Sequence, residues 1–215
     1  MRLPRSVPVA FALLAVVALA ACEAPFGIGP EEPQEKQTSV AESELTFIRF
    51  APDAPALVDT IVSFWAVKGE NRRVEIRYVP TTSYPDGGVC LEFRVPGDAL
   101  LRHPDGRTVQ RGDSVLITIR VVNPAEFKFE FEPAGLQFDP KKPAELRVYY
   151  YWADRDYNGD GVIDGQDEEI YQNFTIWRQE RVGEPWSAQV AERDQSSEKI
   201  KAFLTGFTRY ALADN

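Results

Sequence analysis

From Leu45 onward the chain alternates short runs of β-branched and aromatic residues with punctuation by Gly, Pro, Asn and Asp. The runs are 45–50 (LTFIRF), 60–68 (TIVSFWAVK), 72–79 (RRVEIRYV), 89–95 (VCLEFRV), 114–122 (SVLITIRVV), 127–132 (FKFEFE), 145–152 (ELRVYYYW), 170–178 (IYQNFTIWR) and 199–212, broken at Gly206. In 127–132, Phe127, Phe129 and Phe131 alternate with Lys128, Glu130 and Glu132. That period of two marks a strand with one buried and one solvated face. No stretch carries the longer period of an amphipathic helix, and strands at this spacing predict an all-β fold, an antiparallel β-sandwich over residues 45–213. Gly69-Glu70-Asn71 reads as a hairpin connection between the second and third runs.

The pattern before Leu45 is of another kind. Arg2 and Arg5 precede an unbroken apolar run from Val7 to Ala21, which closes on Leu19-Ala20-Ala21-Cys22. A basic start, an apolar stretch too short to span a bilayer and a small-residue end predict a signal peptide over residues 1–21. The closing four residues resemble the lipobox of bacterial lipoproteins, which implies cleavage before Cys22 and acylation of that cysteine. Several acyl chains on one residue make a stable membrane anchor, since each buried methylene contributes about 0.8 kcal/mol. Glu23 follows where an Asp would favour retention at the inner membrane, so an outer-membrane location is expected where two membranes exist. Residues 23–44 (EAPFGIGPEEPQEKQTSVAESE) are rich in Pro, Gly, Glu, Gln and Ser, and predict a disordered acidic spacer of about 25 Å mean span.

Charge changes this picture by its distribution. The formal net charge is −9. Residues 154–169 hold seven acids against one Arg, and residues 23–44 hold six acids against one Lys. With the two N-terminal arginines set aside, the rest of the chain is neutral, so no basic face recommends a nucleic-acid partner. Cysteine usage adds a constraint. Apart from Cys22 only Cys90 remains, so an exported domain would have no internal disulfide and would need another brace. Cys90 lies in an apolar run and reads as a small buried hydrophobe.

The acidic segment is that brace. In DYNGDGVIDGQDE, counting Asp156 as position 1, oxygen-bearing side chains fall at positions 1, 3, 5, 9 and 12: Asp156, Asn158, Asp160, Asp164 and Asp167. Gly161 occupies position 6, where the chain turns sharply, and Val162 at position 7 offers its carbonyl. Starting the frame at Asp154 would place Gly165 at position 12 and lose a ligand. The pattern is that of the twelve-residue EF-hand-like loop, residues 156–167, and its hard oxygen set implies Ca2+. Asp167 stands where a bidentate Glu is usual, which resembles dockerin loops. Strand-like runs flank the loop, so it is expected as an insertion in a hairpin between 145–152 and 170–178, holding a structural ion.

Further motifs carry a family resemblance. Phe131-Glu132-Pro133-Ala134-Gly135-Leu136-Gln137-Phe138, followed by Pro143-Ala144-Glu145-Leu146, resembles the F-x-P-x-G-x-x-F…P…L signature of ZU5 domains. Val95-Pro96-Gly97-Asp98-Ala99-Leu100 is similar to their I-P-x-G-A turn, with Asp98 inserted. Phe207-Thr208-Arg209-Tyr210-Ala211 is similar to the closing F-[ST]-x-Y-A strand. The resemblance covers about residues 88–212 and implies a β-sandwich acting as a protein-interaction module. Some ZU5-containing proteins cleave themselves at H-F-S; here Gly206 replaces the His that would activate Thr208, so self-cleavage is not expected.

No serine elbow, HExxH helix, phosphate-cradling Gly loop or Cys/His pair is present, and His103 is a lone turn histidine. The chain therefore reads as non-enzymatic: a lipid-anchored cell-envelope binding or scaffolding protein with a protein or glycan partner. The alternative is a carbohydrate-binding module. For that role Tyr149, Tyr151, Tyr171 and Trp177 fall on alternate strand positions and would form a stacking face. A hydrolase or self-processing protein is the remaining reading. Trp65, Trp152 and Trp186 are expected as core or loop anchors.

Overall fold

A computed structural model describes residues 39–215; the signal-like run, Cys22 and the spacer up to residue 38 lie outside the described residues. Among the described residues, fifteen strands and one α-helix follow in chain order. They are β1 (Ser39–Val40), β2 (Thr46–Phe47), β3 (Ile61–Val67), β4 (Arg72–Arg77), β5 (Val89–Val95), β6 (Leu100–Arg102), β7 (Ser114–Val121), β8 (Lys128–Glu132), β9 (Gln137–Phe138) and β10 (Ala144–Tyr149). Then come α1 (Gly165–Asn173), β11 (Thr175–Gln179), β12 (Trp186–Ala188), β13 (Ala191–Asp194), β14 (Lys199–Leu204) and β15 (Arg209–Asp214).

The chain is an all-β antiparallel sandwich. Its larger sheet runs β1-β12-β11-β15-β8-β7-β3, with β2 attached to β15, and its smaller sheet runs β13-β14-β10-β5-β4. A short β6-β9 ribbon stands apart from both. Alternation drives this arrangement: Phe64 and Ala66, Ile117 and Ile119, and Phe129 and Phe131 from one sheet meet Leu91 and Phe93, Leu146 and Val148, and Ile200 and Ala202 from the other in one buried cluster. The outer face of the smaller sheet is charged. There the buried carboxylate of Glu92 contacts Arg73 and Arg94, both at 2.5 Å, and Arg147 at 3.1 Å.

Four expectations are corrected by the topology. First, β3 and β4 belong to different sheets, so Gly69-Glu70-Asn71 carries the chain across the sandwich and does not close a hairpin. Second, β10 lies in the smaller sheet and β11 in the larger, so the 156–167 loop is no hairpin insertion but part of a link between the layers. Third, the run 170–178 is helical up to Asn173, and only Thr175–Gln179 is strand. Gln166, Asp167, Glu168, Glu169 and Gln172 are unbranched or capping residues that suit a helix, and the apolar residues Ile170, Tyr171 and Phe174 are too few to show its period.

The fourth concerns the start of the domain. Residues 39–44 belong to the folded body: Val40 pairs with Trp186, and Glu42–Glu44 form a 3-10 turn. Together with Leu45 and Phe47, Val40 covers Trp177, Trp186, Ala211 and Ala213 in a second apolar cluster on the outer face of the larger sheet. Lys128, expected on a solvated face, is buried under the same cover. Its Nζ lies 3.7 Å from the Phe47 ring centroid and pairs with Glu42 at 3.1 Å and Glu126 at 3.2 Å. The composition of 39–44 is that of a spacer, and only the partner surface makes it fold.

Candidate functional site

The loop 156–167 is shaped by its own carboxylates. Asp156 accepts the backbone N–H groups of Gly159 at 2.7 Å, Asp160 at 3.1 Å and Gly161 at 2.9 Å. Asn158 Oδ1 accepts from the Asp160 N–H at 2.9 Å, and Asp160 accepts from the Val162 N–H at 2.8 Å. Asp167 ties the end of the loop to its start by accepting from the Asn158 N–H at 3.2 Å and the Asp164 N–H at 2.9 Å. The side chains at positions 1, 3, 5 and 12 thus bind the backbone of one coil. Asp164 caps α1, accepting from the Gln166 N–H at 2.8 Å, and forms a reciprocal capping box with Asp167. The loop therefore feeds directly into a helix at position 10, a flank that was expected to be strand.

Three arginines tie this unit to the rest of the fold. Arg49 donates from Nη2 to the Asp156 carbonyl at 2.6 Å. Its guanidinium presses on Gly159, where a Cβ would stand 2.3 Å from Arg49 Nη1, and the φ of +79° there also favours glycine. Arg193, from β13, donates to the Tyr171 carbonyl and, at 3.1 Å, to the Gln172 carbonyl, at the C-terminal end of α1. A cation there complements the helix dipole, and its guanidinium also lies 3.8 Å from the Phe174 ring centroid. Arg155 pairs with Glu198 and so ties the loop's entry to the smaller sheet.

Of the loop carboxylates, that of Asp167 is held in its ionised form by its surroundings. Backbone N–H groups, that of Asp164 foremost, hold the Asp167 carboxyl below its ordinary range. Every donor of the predicted set is an oxygen, as a hard divalent cation requires. Among the described residues, however, no three His, Cys, Asp or Glu side chains converge into a ready-made metal cage. The donor chemistry and the backbone coil fit calcium, while the carboxylates are spread among backbone N–H groups and would have to be drawn together by an ion.

The aromatic set does not form a face. Trp177 is 5% exposed, lies in the outer cluster under Val40 and Leu45, and donates from Nε1 to the Ala213 carbonyl at 2.9 Å. Tyr171 sits on α1 against Tyr157 and Phe174. Tyr151 donates its hydroxyl to the Val89 carbonyl at 2.7 Å and stacks on Tyr84, with Tyr149 beside it at 6.4 Å between centroids. The stacking surface fails because β10 and β11 lie in different sheets. Trp186 is buried as expected and Trp152 half-buried, but Trp65 is 58% exposed on β3 and anchors nothing.

Other reactive groups are tied up. Thr208 is buried, with its hydroxyl between the carbonyls of Gln179 and Glu180. His103 stands in a turn closed by its own N–H to the Arg107 carbonyl at 2.8 Å. Burial pushes the Cys90 thiol up to about 12, against the effect of its hydrogen bond with Tyr78. The ZU5-like motif residues gather in the core: the Phe131 and Phe138 rings lie 5.3 and 4.9 Å from Phe207, and Phe131 lies 5.6 Å from Tyr210. The Tyr210 hydroxyl donates to the Gly206 carbonyl at 2.7 Å, so the residue in the His position serves as an acceptor for a core tyrosine. No protein family, no curated protein and no solved structure matches this chain, so the ZU5 resemblance stands on those motif residues alone.

Proposed function

We propose that this chain is a lipid-anchored cell-envelope binding protein whose β-sandwich is braced by one calcium ion in the 156–167 loop. The observation that carries the reading is the network of side-chain to backbone hydrogen bonds within Asp156 to Asp167, which shapes a twelve-residue loop with oxygen donors at every ligand position. Asp156, Asn158, Asp160, the Val162 carbonyl, Asp164 and Asp167 would hold the ion. Calcium would supply the positive charge that lets four aspartates sit together.

The role is structural. A sensor ion moves a helix, but α1 is clamped at its far end by Arg193 and anchored by the buried Phe174. The ion would instead fix the link between β10 and β11, and with it the spacing of the two layers. Cys22 would anchor the domain to the membrane, outer where two membranes exist, and the sandwich surface would take a protein partner in the manner of ZU5-like domains. Absence of a shared aromatic face leaves the carbohydrate reading without support in the geometry.

Calcium at 100 times its dissociation constant stabilises a folded state by about 2.7 kcal/mol. For a domain of this length that is a rise in Tm of about 5–10 °C. Thermal melts of the full chain with calcium and with chelator are expected to differ by that amount, and Asp160→Ala, a change at an exposed loop position, is expected to remove most of the difference. An identical Tm with and without about 10 mM calcium, well above the weak end of extracellular sites, would sink the proposal.

A further inference from the structure

The open edge of the larger sheet is unlike the rest of the surface. β3 is its terminal strand, and its sequence, IVSFWAV, contains no charge, proline or glycine. Natural edge strands are commonly blunted by lysine, proline or a bulge, and this one has none of these. Apolar residues flank Ser63 on its outward face: Ile61 is 48% and Trp65 58% exposed, beside Leu116 on β7 at 45%.

Register identifies the free backbone groups. β3 pairs with β7 so that Ile61 faces Arg120 and Trp65 faces Leu116. The flanking bonds, Val121 N–H to Thr60 O and Lys68 N–H to Asp113 O, show that even-numbered residues bond to β7. By alternation, the N–H and C=O groups of Ile61, Ser63 and Trp65 point away from β7. Among the described residues nothing pairs with them. The same three residues thus carry both the exposed side chains and the open ladder.

We infer that this edge pairs with β3 of a second copy of the chain, antiparallel about a two-fold axis at Ser63. The pattern is self-complementary. Ile61 would exchange backbone bonds with Trp65 of the other copy, and Ser63 with its own counterpart, giving about six ladder hydrogen bonds. Across the joined face one row would read Arg120, Ile61, Trp65, Leu116, the last two from the second copy, and its symmetry mate would repeat it in reverse. Trp65 would thus lie beside Ile61 twice, and each Arg120 would remain at the far end of its row, where Glu130 stands 3.9 Å away. The central row would hold the Ser63 and Thr118 hydroxyls, already bonded at 2.8 Å within one copy. No like charges meet at this edge, although the chain as a whole is acidic. The chain's own leading segment suits the edge poorly. Pro25, Pro30 and Pro33 lack N–H donors, and β1 lies at the opposite edge, six strand spacings or about 29 Å away.

Cysteine crosslinking of the full chain in intact envelopes tests this pairing. Cα atoms of a directly opposed, bonded pair lie about 5.5 Å apart, within disulfide range. Under mild oxidation Ser63→Cys is expected to yield a reducible species of doubled mass, at least about 5-fold more abundant than from Thr118→Cys, one strand farther from the axis. Adding Trp65→Lys to Ser63→Cys is expected to cut that yield by about 5-fold while the Tm stays near that of Ser63→Cys alone. Equal yields from positions 63 and 118, no doubled species, or a disulfide to a protein of different mass would each overturn the inference; the last would assign the edge to a foreign strand.

Discussion

Phe93→Ala is expected to lower the stability of the sandwich by about 3–5 kcal/mol, the range for truncating a fully buried aromatic side chain. Phe93 lies on β5 with no exposed surface, and its ring meets rings from the opposite layer and its closing segments. Centroid separations are 5.2 Å to Phe131, 5.5 Å to Phe207, 6.4 Å to Phe138 and 6.5 Å to Phe64. Four rings that lose a common neighbour cannot all collapse into the space, because Phe131, Phe138 and Phe207 already pack on one another. The corresponding fall in Tm is about 6–20 °C. Phe93→Leu, which keeps most of the volume, is expected to lose less than half as much. Equal melting of Phe93→Ala and the parent chain would mean that the sheets do not close on this cluster.

The second large effect is electrostatic. Glu92 is 1% exposed, on a sheet face that is otherwise charged, and the register sets Glu75 and Arg147 directly on either side of it. Burial opposes its ionisation, but Arg94, Arg73 and Arg147 outweigh burial and hold the carboxyl below the usual glutamate range. Removing one partner from a buried ion cluster costs about 3–5 kcal/mol, and here the arginines keep part of their surface in water, so about 2–3 kcal/mol is expected for Glu92→Ala. The pH dependence follows from the sign. A carboxyl with a lowered folded pKa contributes stability fully above its unfolded value, about 4.3, and loses it as pH falls through the folded value. Denaturant melts of the parent chain are therefore expected to weaken below about pH 4, and Glu92→Gln to show a shallower acid slope. A parent and a Glu92→Gln variant with the same slope would contradict this assignment.

Local pattern made the strands legible. Runs such as 89–95, 114–122 and 127–132 carry a clean alternation, and β5, β7 and β8 fall within them. The charged positions of 72–79, 89–95 and 145–152 were equally readable as an outward face, but their convergence on Glu92 depends on inter-strand register, which no single run contains. Sheet membership was illegible for the same reason. A turn such as Gly69-Glu70-Asn71 looks alike whether the chain returns along one sheet or crosses to the other, so the links from β3 to β4 and from β10 to β11 were both misread as hairpins.

The loop itself was readable residue by residue, because alternate oxygen donors around a glycine turn are a local pattern. Its surroundings were not. Helix α1 has nine residues and too little apolar content to show a period, though Asp164 and Asp167 at capping-box spacing are a signal for it. Arg49, beyond the end of β2, and Arg193, on β13, reach the loop and α1 from stretches distant in sequence, and nothing in their own neighbourhoods marks them. The burial of Trp177 is illegible because part of its cover, Val40, comes from a stretch whose composition is that of a tether.

The proposed brace is the ion. Calorimetric titration of the calcium-stripped full chain with calcium chloride measures it most directly. One binding site per chain is expected, reversed by chelator and absent in Asp160→Ala. A flat titration through the millimolar range, or an isotherm unchanged by Asp160→Ala, would contradict the claim that Asp156 to Asp167 form a calcium brace.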